Sequence, residues 1–107
     1  MNKQEMIAKL IEQLKLALTR PALFMGETTV NAAISFLNGM GLACHAVGIA
    51  PTLDTKREAV KSRGWEFGPT GGLAYMREAN LTEEQIVQEL LRIEIKMLEL
   101  VAEGLAD

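Results

Sequence analysis

Charge is missing from the middle of this sequence. From Thr28 to Leu53 there is no Lys, Arg, Asp or Glu, although charged residues make up 23% of the 107-residue chain. Such a stretch is shielded from water by lipid, by the rest of the domain or by another copy of the protein. Lipid is the poorest fit. Val30 to Ala50 has the length of a membrane span, about 20 residues. It nevertheless holds Asn31, Ser35, Asn38 and His45, three glycines, and no Trp or Tyr at either end. Polar groups are costly in hydrocarbon and the interfacial aromatic belt is missing, so no membrane partner is expected. Glu5, Glu12 and Lys15 interrupt any apolar run at the start, so no signal peptide is expected either.

The other scarcities narrow the function classes. One cysteine, Cys44, excludes an internal disulfide and fits a reducing, cytoplasmic location. With one Cys and one His, no metal site is built on those ligands. Cys44 and His45 are sequence neighbours, which on a helix point about 100° apart, so Cys44 is expected to be structural and buried. Aromatics number only five, and β-branched residues never cluster in alternation, which argues against strands. A net charge of −3 argues against a nucleic-acid partner. Gly39-Met40-Gly41-Leu42-Ala43-Cys44 lacks the third glycine of a dinucleotide fingerprint. Gly68-Pro69-Thr70-Gly71-Gly72 lacks the Lys and Ser/Thr of a phosphate loop. No cofactor, and no enzyme activity, is expected.

What is present reads as helix. The sequence predicts an all-α single domain over residues 1–107: a compact bundle of about four to five helices, with two long ones in the N-terminal region and at the C-terminus. Asn2 and Glu5 cap a first helix with apolar positions at Met6, Ile7, Leu10, Ile11, Leu14, Ala17 and Leu18, and Pro21 stops it. Thr82 and Gln85 form a capping box for the last helix, and Asn80 suits the left-handed turn before it. That helix carries two apolar seams: Ile86, Leu90, Ile93, Met97 and Leu100, and Val87, Leu91, Leu98, Val101 and Leu105. Two seams imply burial on both flanks. A second copy is expected to cover one of them, giving a homo-oligomer (dimer) with an interface drawn from Ile86, Leu90, Leu91, Ile93, Met97, Leu98 and Val101.

On a helical wheel the uncharged segment has three faces. Thr28, Asn31, Ser35, Asn38 and His45 share a polar arc; Ala32, Gly39, Ala43 and Ala46 form a small strip; the remainder is bulky. The glycines Gly39 and Gly41 are expected to kink this helix or end it near Asn38. A polar arc without charge is either a covered structural surface or the lining of a pocket. Asn31, Asn38 and His45, with Arg20 and Glu27 paired across the preceding loop, are therefore the candidate ligand or partner surface. Between Pro51 and Asn80, Asp54 or Thr55 is expected to cap a short helix through Ser62. A glycine-rich loop then carries Trp65 and Phe67, and a brief helix runs from Leu73 to Ala79. Arg57 and Trp65 join the candidate partner surface, since Arg and Trp supply many interface hot spots; the plainer role for Trp65 and Phe67 is to pin the loop to the core.

The string Arg20-Pro21-Ala22-Leu23-Phe24-Met25-Gly26-Glu27, with Phe36 and Gly39 further on, resembles a pattern in small uncharacterised bacterial helical proteins, some of them similar to immunity proteins of toxin systems. The resemblance covers about 20 residues; Met40 replaces an aromatic and Ala32 a residue that is commonly charged. It implies a bacterial cytoplasmic protein. Together these readings lead to a non-enzymatic helical protein acting through self-association and a protein partner. The competing class is a small-molecule binder or minor enzyme using the uncharged polar face.

Overall fold

The computed structural model describes residues 1–106 and contains six helices and no strand among them. In order these are α1 (Lys3–Thr19), α2 (Pro21–Met25), α3 (Val30–Ala46), α4 (Leu53–Ser62), α5 (Leu73–Glu78) and α6 (Glu83–Ala106). The all-α expectation holds, with one helix more than anticipated. Pro21 does stop α1, and it also starts the single-turn α2, because its fixed φ suits the first helical position.

Capping explains most of the boundaries. Asn2 Oδ1 accepts from the Glu5 amide at 2.8 Å, and Thr29 Oγ1 accepts from the Ala32 amide at 3.1 Å. At α6 the capping box is complete. The Gln85 amide donates to Thr82 Oγ1 at 3.1 Å, and the Thr82 amide donates to Gln85 Oε1 at 2.9 Å. Thr82→Ala is expected to cost about 1 kcal/mol, a melting-temperature drop of roughly 4–8 °C; no change on thermal denaturation would show that this cap does not hold the helix start. One expectation fails here. The cap of α4 is Thr52, whose hydroxyl accepts from the Thr55 amide, rather than Asp54 or Thr55. At the start of α3 the Val30 amide donates to the Glu83 carboxylate at 2.7 Å. Glu83 thus joins the starts of α3 and α6, which lie 53 residues apart.

Three helices end in the same way. Gly48 (φ 77), Gly64 (φ 86) and Asn80 (φ 61) each occupy the left-handed region after a helix, and an apolar residue follows: Ile49, Trp65 and Leu81. The amides of those residues return to Cys44, Val60 and Met76 carbonyls at 2.9, 3.3 and 3.2 Å. This motif closes the helix and folds the following apolar side chain back against it.

α3 runs through Gly39 and Gly41 to Ala46 without breaking. Its bulky side outweighs the glycine penalty: Val30, Ala33 and Cys44 are buried, with Ile34, Phe36, Leu37 and Met40 packed beside them. Phe24 of the string noted above and Phe36 beyond it meet edge to face at 6.3 Å. That string therefore shapes the α2–α3 hairpin, with Gly26 (φ 83) at its turn.

α6 is the axis of the fold. Ile7, Leu14, Ala17, Ala33 and Cys44 pack with Val87, Leu91, Ile95 and Leu98 in one cluster. Val30, Ala59, Val60 and Met76 pack with Ile86 and Ile93 in the other, with Met97 and Leu100 beside them. Both seams are therefore covered by helices of the same chain as far as Val101, while Leu105 near the end of α6 is exposed. The residues expected at an oligomer interface are committed to these clusters: Leu91 and Leu98 are fully buried, Ile86 and Ile93 nearly so, and Leu90, Met97 and Val101 half-buried. The premise that one flank of α6 lacks a cover does not hold. Ile95, which belongs to neither seam, is buried as well.

Candidate functional site: a groove along the last helix

Gln85, Gln88, Glu89, Arg92, Lys96 and Glu99 recur at three- and four-residue steps, so they share the one face of α6 that the clusters leave polar. Along this face runs a groove. Its first part, about 970 Å³, is walled by Leu18, Thr19 and Pro21 at the α1–α2 corner and by Arg63 and Trp65 beyond α4. A second part of about 390 Å³ continues past Arg92 to Lys15, Lys96 and Glu99, sharing Leu18, Arg63 and Arg92 with the first.

Glu89 organises the centre. Its Oε1 accepts from Arg63 Nε at 3.1 Å and from the Trp65 indole N–H at 2.9 Å, while its Oε2 accepts from Arg63 Nη2 at 2.6 Å. The fork of a guanidinium on a carboxylate fixes both groups geometrically. Partial burial pushes the Glu89 carboxyl up, but the bonds from Arg63 and Trp65 outweigh it and hold the carboxyl below its usual value. Arg63 is correspondingly held in its charged form by Glu89. Trp65 arrives here because Gly64, in the left-handed region, turns the chain back over the end of α4. On the opposite wall Gln88 Nε2 donates to the Leu18 carbonyl at 2.9 Å, tying α6 to α1.

Of the cations in the groove, Arg63 is the one consumed by an ion pair among the described residues; Lys15, Arg92 and Lys96 are not. Against them stand Glu84 and Glu99 at the two ends. In a chain of net charge −3, the middle of this groove is locally positive.

The structure disperses the residues singled out from the sequence. Trp65 lies in the groove, and its ring also packs against the second cluster, so it pins the loop as well. Arg57 does not reach the groove: its guanidinium sits 5.6 Å from the Phe67 ring centroid and 3.4 Å from Asp54. Arg20 and Glu27 are both exposed, and they do not pair; Glu27 instead takes the Thr29 hydroxyl at 3.4 Å. Asn31, Asn38 and His45 are exposed on α3 and line neither part of this groove. They are therefore not a covered polar seam within the chain. Cys44 is buried while His45 faces solvent, which separates the two as the wheel predicted.

Sequence reasoning missed Glu89, Arg92, Gln85 and Gln88, whose spacing is that of any solvated helix face. It also missed Glu94. This carboxyl is buried in α6, and burial raises it to about 7 against a smaller opposing pull from Lys56. Its charge in turn pushes the Cys44 thiol further up, beyond the larger effect of burial. No helix of the described residues is long and apolar enough to cross a membrane. Compared with protein-family models, curated proteins and solved structures, the chain matches none.

Proposed function

We propose that the chain is a non-enzymatic helical interaction protein that holds an acidic segment of another protein in the groove along α6. The observation that carries this reading is the locked Arg63–Glu89–Trp65 centre with the unpaired Arg92 beside it. Trp and Arg dominate interface hot spots, and side chains already fixed before binding lose less entropy on association. Small-molecule sites are typically concave and mostly apolar, whereas this groove is open and predominantly polar. Glu84 and Glu99 at its ends repel a continuous polyanion, which favours a segment with carboxylates at its centre. Glu94, the carboxyl raised to about 7, does not line the groove, so it supplies no acid or base there. The lone, buried Cys44 and the resemblance of the Arg20–Glu27 string support a bacterial cytoplasmic setting for this role.

Trp65 is the single tryptophan of the chain, so its emission reports on the groove. A short Glu/Leu-rich peptide should shift that emission saturably, and a Lys/Leu-rich counterpart should not. Arg92→Glu should weaken the acidic peptide at least about tenfold, and added salt should weaken it further. An emission unmoved by the acidic peptide, or binding indifferent to Arg92→Glu, would remove the basis for the proposal.

A further inference from the structure

We infer that the cleft between α1 and the end of α3 binds a medium-chain aliphatic carboxylate, its chain in the cleft and its head at Lys9 and Lys3. The cleft holds about 280 Å³. Cys44 and Ile49 are its buried floor, and Met6, Leu10, Ala43 and Val47 are its walls. The end of α3 builds this shape. Gly48, in the left-handed region, turns the chain back, and the Ile49 amide returns to the Cys44 carbonyl at 2.9 Å. Ile49 is thereby laid into the first cluster beside Ile7 of α1.

The rim carries charge of one sign. Lys3, Met6, Lys9, Leu10 and Gln13 recur at three- and four-residue steps, so they share a face of α1. Lys9 and Gln13 line the cleft directly. The Lys3 ammonium lies over Gly48, 3.1 Å from where a side chain at that position would begin. Gly48 stands between Val47 and Ile49, which both line the cleft. No carboxylate lines it among the described residues. Glu5 and Glu12 fall beyond Lys9 on the helical wheel, and neither forms an ion pair among those residues.

Floor and rim together select the ligand. Small-molecule sites are concave and mostly apolar, with a few polar groups that fix orientation. An apolar floor disfavours a compact anion such as inorganic phosphate, which would lose water and gain no partner there. A cationic rim repels an alkylammonium. An aliphatic chain with one anionic end satisfies both. A methylene takes about the space of a water molecule, roughly 30 Å³, so the cleft takes a chain of roughly nine such groups. Lysine stems lie along apolar surface while the ammonium stays in water, where it donates charge-assisted hydrogen bonds to a carboxylate. This cleft shares no lining residue with the α6 groove, so the inference is independent of the peptide-binding reading.

Amide chemical shifts of the full chain, titrated with decanoate below its micelle concentration, test this. The amides of residues 6–13 and 43–49 should shift saturably while the Trp65 emission stays unchanged. Octanoate, shorter by two methylenes, should bind about tenfold more weakly. Lys9→Glu should weaken decanoate at least about tenfold and leave decanol unaffected. Lys3→Glu should act in the same direction, and it carries the charge test should Lys9→Glu fail to fold by circular dichroism. Four results overturn the inference: no saturable shift at these amides, decylammonium binding as tightly as decanoate, decanoate binding indifferent to the folded variants, or phosphatidylglycerol vesicles moving these amides where decanoate does not.

Discussion

Replacing Glu94 with Gln should raise the melting temperature strongly at pH 8 and only slightly at pH 5. The native fold raises this carboxyl from 4.5 to about 7 by burial, so the fold binds its proton more tightly than the unfolded chain does. The stability of the protonated native state is fully present below 4.5 and is lost as the pH rises through about 7. At 1.36 kcal/mol per pH unit the loss amounts to about 3 kcal/mol, an order-of-magnitude figure. Gln keeps the shape and carries no charge, so it escapes that loss; the gain at pH 8 corresponds to roughly 10 °C or more. Lys56 opposes the effect weakly, since its attraction favours the carboxylate. Comparing the two proteins at each pH removes the titration of every group they share. Equal melting temperatures at both pH values would show that Glu94 is not buried in this way.

Leu98→Ala should lower stability by about 2–5 kcal/mol, and Leu98→Glu should abolish folding. Leu98 has no exposed surface and sits among residues of α1, α3 and α6 in the first cluster, so its truncation opens a cavity. The loss of stability should not depend on protein concentration, because the contacts lie within one chain. Thermal denaturation at two concentrations distinguishes this from an interface: a well-folded Leu98→Glu monomer would place the residue between subunits instead.

Local signals were legible wherever one residue acts on its near neighbours. The Thr82–Gln85 capping box, the left-handed Asn80 and the stop at Pro21 all depend on partners within a few positions, and all are found. The early end expected near Asn38 does not occur, because tertiary packing of Phe36, Leu37 and Met40 overrides the low helix propensity of Gly39 and Gly41. The two seams on α6 do not require a second copy, because α4 and α5 are short yet cover a flank when both turn back onto the axis. Glu94 was within reach of the spacing, since it stands three and four residues from Leu90, Leu91, Met97 and Leu98 and so lies between the two seams. The groove was not. Arg63 and Glu89 are 26 residues apart, and nothing in either neighbourhood specifies that they meet.

Chemical-shift mapping of the backbone amides during titration with the Glu/Leu-rich peptide tests the central claim most directly. The account predicts shifts confined to the amides that line the groove or adjoin its lining: Lys15–Arg20, Thr28, Ser62–Trp65 and the Leu81–Glu99 face of α6. Shifts that spare these residues and fall instead on the exposed side of α3, or an absence of shifts at saturating peptide, would contradict it.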